Sequence, residues 1–178
     1  MNTCKKLKPR RNLVPTEKSK TAVSDDREVL ITRVFDAPLE VVFRAWTERE
    51  ALLRWYAPRG CTITFRAIDV REGGEFHSCI RTPDGHECWC KGEYREIVAP
   101  ERIVYSMTVA DAAGNQVEPT AVGMDADWPR ETEVTVTFEP VGEKTRLTLR
   151  QTVSESLAKR TGAHPSWIDM LDRLAEVV

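Results

Sequence analysis

The residues best equipped for chemistry crowd into one stretch, GGEFHSCIRTPDGHECWCKG, residues 73–92, which holds two of the three histidines and three of the five cysteines of the 178-residue chain. Their spacing is His77-x-Cys79 and His86-x-Cys88-x-Cys90. Imidazole nitrogens and thiolates converging on one point would make a tetrahedral zinc site, and two adjacent thiols would make a redox pair. Either chemistry requires the side chains on a common face, so the fold of the segment decides.

Pro83-Asp84-Gly85 reads as a turn between two strands, and two pairings are open. A four-residue loop sets Cys79 opposite Cys88 and His77 opposite Cys90, whereas a Pro-Asp-Gly loop sets Ile80 opposite Cys88 and Ser78 opposite Cys90. Asp-Gly after proline favours the second, because glycine accepts the positive φ of a type I turn followed by a bulge. Phe76, Ser78 and Ile80 are then the dry set, His77 and Cys79 face water, and Cys88 and Cys90 face inward. No metal draws ligands from both sides of a sheet. The expectation is therefore no metal site and no cofactor, with Cys88 and Cys90 as small buried apolar residues. Neighbours two apart on a strand are also too distant to bridge.

Elsewhere there is no G-x-S-x-G, no H-E-x-x-H and no phosphate-binding glycine loop. Asp125-x-Asp127 near Asp111 lacks the glycine and distal glutamate of a calcium loop, and His164, before Pro165, reads as a neighbour of a helix start. Side chains that could serve as polar handles in an apolar interior are Tyr94, Glu96, Arg102, Tyr105 and Trp128. A buried Glu96 carboxylate would need Arg102 or Arg71 as its partner; the plainer reading is an ion pair at the sheet rim.

A chain with 41% apolar and 30% charged residues, and no apolar run near the ~20 residues that cross a bilayer, reads as one soluble globular domain without membrane insertion. Residues 1–24 carry seven Lys and Arg against Glu17 alone, so a net charge of −2 leaves an acidic body. The basic tail, 1–26, has little to bury and reads as disordered, and the acidic body argues against nucleic acid. The absence of a leader-like apolar block and an odd cysteine count lead to a cytoplasmic expectation.

From Arg27 the pattern becomes regular. REVLITRVF reads as a strand; DAPLEVVFRAW switches to helical spacing with Asp36 as a cap; Thr47 and Glu50 suggest a capping box for a second short helix through Leu52 and Leu53. CTITFRAIDV, EFHSCIR, HECWCKGEYREIV, RIVYSMTV, ETEVTVTFEP and KTRLTLRQTV then read as strands joined by short turns, hence antiparallel. In the closing HPSWIDMLDRLAEVV, Trp167, Met170, Leu171, Leu174 and Val178 make one apolar stripe. The fold class that satisfies these faces is α+β: a curved antiparallel sheet of about seven strands around a long C-terminal helix, with two short helices after strand one.

The β-α-α-β6-α order, together with FDAPLEVVFRAWT, LLRWYAP, DVREGGEF, PDG, KGEYREIVAPERIVY, TVTFE, TRLTLRQ and WIDMLDRL, resembles the family named for homology to the activator of the heat-shock-protein-90 ATPase. That family lies in the START-like SRPBCC superfamily, which shares the helix-grip fold of the birch-pollen allergen. The resemblance runs from about Glu28 to Val178, with Trp55-Tyr56 and Ser166-Trp167 as mild departures. It implies an internal apolar cavity, with Phe65, Phe76, Ile80, Cys88, Tyr94, Tyr105, Trp167, Met170, Leu171 and Leu174 as wall residues and Glu96 and Arg102 as polar handles. The function expected from it is binding of a hydrophobic small molecule or lipid without catalysis, in a monomer or weak homodimer. Two alternatives stay open: a co-chaperone-like module acting on a chaperone ATPase, and a cyclase or dehydratase using Tyr94, Glu96 or His77 as acid or base.

Overall fold

The computed structural model describes residues 26–178. The basic tail before Asp26, and Cys4 with it, lie outside the described residues. The strands are β1 (Val29–Phe35), β2 (Thr62–Ile68), β3 (Glu75–Arg81), β4 (Glu87–Val98), β5 (Arg102–Val109), β6 (Glu131–Val141) and β7 (Lys144–Gln151). The helices are α1 (Leu39–Thr47), α2 (Arg49–Trp55), α3 (Glu155–Thr161) and α4 (Ala163–Val177).

One seven-stranded antiparallel sheet runs in the order β1-β7-β6-β5-β4-β3-β2, so the first strand closes onto the last and β1 and β2 are its edges. β1 shows why its residues suit that place: Val29, Ile31 and Phe35 are buried, while Leu30 and Val34 on the other face stay exposed. Bulges at Arg66 and Arg95 interrupt the ladders of β2 and β4 and bend those strands. The curved sheet grips the helices: α4 lies against α2, α3 and β1, and α1 lies against β6 and β7. This is the expected helix-grip architecture.

The structure departs from the sequence reading at four places. Asp36 does not cap α1: the N-cap is Pro38, with no side-chain bond. Thr47 is no capping box, because its hydroxyl turns back to donate to Phe43 O at 3.2 Å, and Glu48 in extended conformation separates the helices. Helix α3 was not expected, although its signals are ordinary: the Ser154 hydroxyl accepts from Leu157 N and Gly162 ends it at φ +84°. Asp26 also belongs to the folded body, accepting from Ser156 N at 2.8 Å and Ser156 Oγ at 2.6 Å at the start of α3.

The β3–β4 hairpin adopts the register that turn chemistry favours, Ser78 opposite Cys90 and Ile80 opposite Cys88, with Gly85 at φ +89°. Burial does not follow from register alone. Cys79 is 3% exposed although it points to the outer face, and Cys88 on the inner face is exposed. Cys79 sits between Thr64 and Trp89 in the ladder. The Arg66 guanidinium lies over the Trp89 ring, His77 packs against it, and the segment after β5 folds back over this corner. Cys88 lies near the hairpin tip, opposite Ile80 at the start of β4.

Candidate functional site

Between α1, α2 and the inner face of β2–β5 lies a small apolar cavity. Trp46 reaches it from α1, Leu52 from α2, Tyr56 from the turn after α2, and Phe65, Phe76 and Tyr94 from β2, β3 and β4; Ile103 and Tyr105 of β5 form the floor. Six of these eight residues are aromatic and none is charged. All three tyrosines of the chain are among them.

The geometry follows from the strands. β4 presents Cys90, Gly92 and Tyr94 on its inner face. A Cβ at Gly92 would fall 1.8 Å from Ser106 O and 2.7 Å from the Phe76 ring, so only glycine lets Phe76 lie against β4 here. Phe76 then meets Tyr94 at 5.8 Å and Tyr105 at 6.0 Å between ring centroids. The turn after α2 is clamped by Arg173 of α4, whose guanidinium donates to the carbonyls of Arg54, Ala57 and Pro58. That clamp sets Tyr56, whose hydroxyl lies 2.8 Å from the Tyr105 hydroxyl in a buried hydrogen bond.

Burial pushes all three phenols above their ordinary value, and for Tyr56 the bond to Tyr105 only partly opposes that shift. The Cys90 thiol nearby is pushed up to about 12 by the same cause. At neutral pH these four groups are all protonated. The arrangement suits a neutral apolar guest and offers no cation to hold an anionic one.

The cavity is narrower than the ready-made space expected of the fold. It leaves about 10 Å³ for the centre of a water molecule, which is room for about one water. Of the expected wall, Phe65, Phe76, Tyr94 and Tyr105 line it. Trp167, Met170, Leu171 and Leu174 are buried in the core instead, because α4 packs on α2, α3 and β1. The indole of Trp167 stacks on Trp46 and donates to Gln151 Oε1 at 2.8 Å. Ile80 is half-buried and packs against the core outside the cavity, and Cys88 is exposed.

Glu96 and Arg102, expected as polar handles, do not line the cavity. After Tyr94 the bulge at Arg95 shifts the register, and Glu96 meets Arg102 at 3.3 Å with both side chains well exposed, a rim ion pair. Arg71 pairs with Asp69, and Trp128 packs half-buried against the core. His77 holds the carbonyl of Asp111 at 3.0 Å on the outer face, while Asp125 and Asp127 pair with Arg160. No group of three or more His, Cys, Asp or Glu capable of holding a metal occurs among the described residues.

Trp46, Leu52, Tyr56 and Ile103 were not expected at the cavity. Trp46 and Tyr56 are aromatic residues flanking α2, and their positions were legible; that a turn residue would point its hydroxyl inward was not.

A family model described as Activator of Hsp90 ATPase homolog 1-like protein matches residues 36–178. The chain belongs to that family. Solved structures agree: a protein from Staphylococcus epidermidis is 27% identical with TM-score 0.69 over 85% of this chain and 88% of that one. A protein from Chromobacterium violaceum is 25% identical with TM-score 0.70 over 85% of this chain and 96% of the other. The AHSA1 protein of Silicibacter pomeroyi, 18% identical, covers 84% of this chain and 95% of its own with TM-score 0.66, a likeness of fold. No curated protein matches the sequence. Membership of the Activator of Hsp90 ATPase homolog 1-like family accounts for the helix grip, and no helix among the described residues is long and apolar enough to cross a membrane.

Proposed function

We propose that the chain binds a hydrophobic small molecule between α1, α2 and the inner face of β2–β5 without transforming it. The observation that carries this reading is the aromatic cavity itself: a gap where helix and sheet faces fail to close, walled by rings and free of charge. Its small volume means that a guest enters by displacing part of the wall. Phe65 is the half-buried ring beside the edge strand's bulge, and Arg49 of α2 reaches across to its carbonyl at 3.5 Å, so α2 and β2 form the side that parts. Catalysis would need two titratable groups converging on the guest. Of the three residues weighed for that, only Tyr94 faces the cavity, and burial holds its phenol protonated.

Native mass spectrometry of the protein purified from its own host tests the proposal. The expected result is a non-covalent adduct that organic extraction removes and that restores thermal stability when added back. A bare chain that gains no stability from any of a panel of apolar molecules contradicts it.

The family's description supports a second reading, contact with an Hsp90-type chaperone. A nearly filled interior is compatible with it, because such a domain acts through its surface. Pull-down and ATPase assays with the host's own chaperone decide it, and no binding at tens of micromolar removes it.

A further inference from the structure

Trp46 carries the one anomaly in the polar accounting of the described residues. Among the described residues, its Nε1 is the only buried side-chain nitrogen or oxygen without a hydrogen-bond partner. The other two indoles of the aromatic cluster are satisfied, Trp55 by Ala45 O at 2.8 Å and Trp167 by Gln151 Oε1 at 2.8 Å. Trp46 is 2% exposed and lines the cavity. Leaving a buried donor unpaired is costly, and native proteins seldom do so without a ligand or ordered water to complete the bond.

The neighbours define what would complete it. Tyr56 and Tyr105 bond each other, which uses one of their two hydroxyl protons; the remaining O–H and the indole N–H are both donors, so the group that completes the site is an acceptor. No lining residue is charged, so a carboxylate or ammonium would be buried without a counter-ion. The walls are mostly ring faces and edges, which favour a flat aromatic guest over a flexible chain. We infer that the ligand is a neutral, ring-bearing molecule with one acceptor oxygen, a ketone or ether, which takes its hydrogen bond from the Trp46 indole N–H. This rests on the cavity reading proposed above and specifies its ligand class; fatty acids and other anions are excluded from the site.

Three probes of nearly the same shape separate the possibilities at neutral pH: acetophenone carries the acceptor, ethylbenzene lacks it, and benzoate is charged. With ¹⁵N-labelled protein, the assigned Trp46 Nε1–H resonance is expected to move strongly on saturation with acetophenone and little with ethylbenzene. The ratio of acetophenone to ethylbenzene affinity is expected to fall about five-fold in Trp46→Phe, the worth of one neutral hydrogen bond. Using a ratio cancels the difference in the probes' own hydrophobicity. Benzoate is expected to bind at least about ten-fold more weakly than acetophenone. If both neutral probes bind but the indole resonance responds alike to them, the donor is satisfied by a trapped water and the inference is overturned. Tighter binding of benzoate overturns it as well. If no probe binds, the cavity reading itself fails. Should Trp46→Phe not fold, the indole resonance of the unaltered protein still decides.

Discussion

Cys79 and Cys88 show how far alternation on a strand carries and where it stops. The hairpin register was legible because Pro-Asp-Gly has specific turn chemistry, and the structure adopts it. Inward does not mean buried at either thiol: the outer face at Cys79 is covered by Trp89 and its neighbours, and the inner face at Cys88 lies near the hairpin tip and is exposed. A water-soluble thiol reagent is therefore expected to label exposed Cys88 and half-buried Cys61 ahead of the other two, although partial burial raises the Cys88 thiol as well. Cys79 and Cys90, both with thiols held above the ordinary value by burial, label only slowly or after denaturation. Peptide mass spectrometry reads the order. Gly92 gives a second residue-scale expectation. Replacing it with alanine forces a methyl group into Ser106 O and the Phe76 ring; a loss of about 3 kcal/mol in urea unfolding is expected, at the upper end of overpacking costs.

At the scale of elements, seven strands and the long terminal helix were readable from period and turn residues, because each has one dry face and short connections. Helix α3 was missed although it is no shorter than α2 and carries legible end signals in Ser154 and Gly162. The cavity wall was half legible. The strand residues Phe65, Phe76, Tyr94 and Tyr105 follow from alternation, but the helical half depends on which strands α4 covers, a tertiary fact that no local pattern contains. Arg173 makes the dependence testable. Its side chain joins α4 to the carbonyls ending α2 and so positions Tyr56. Arg173→Ala is expected to cost about 2 kcal/mol, as for loss of charge-assisted hydrogen bonds, and to move the Tyr56 ring resonances while leaving those of Tyr94 closer to their original positions.

For the whole molecule, the interior that distinguishes it is also its alkaline weak point. An unfolded chain ionises a thiol near 9.0 and phenols near 10.0, whereas the folded cavity keeps Cys90, Tyr56, Tyr94 and Tyr105 protonated at those values. Above about pH 9 the unfolded state thus binds fewer protons than the folded one, and stability falls as pH rises, with the Cys90 part of the loss complete near 12. On the acid side the sign reverses. Carboxylates held below their ordinary values, such as Asp26 by Ser156 and Asp111 by Asn115, contribute stability above the normal carboxylate range that is lost as pH falls through their lowered values. Phenolate absorbance is expected to appear together with loss of the fold, since every tyrosine faces the same cavity; early ionisation of a native tyrosine would contradict this. The same circumstance supplies the most direct test of ligand binding. In protein labelled with ¹³C in its tyrosine rings, all signals come from cavity walls. Titration with ethylbenzene is predicted to shift the ring resonances of Tyr56, Tyr94 and Tyr105 together and to saturation. Resonances that stay unmoved up to the solubility limit of the probe would contradict the existence of a ligand site between the helices and the sheet.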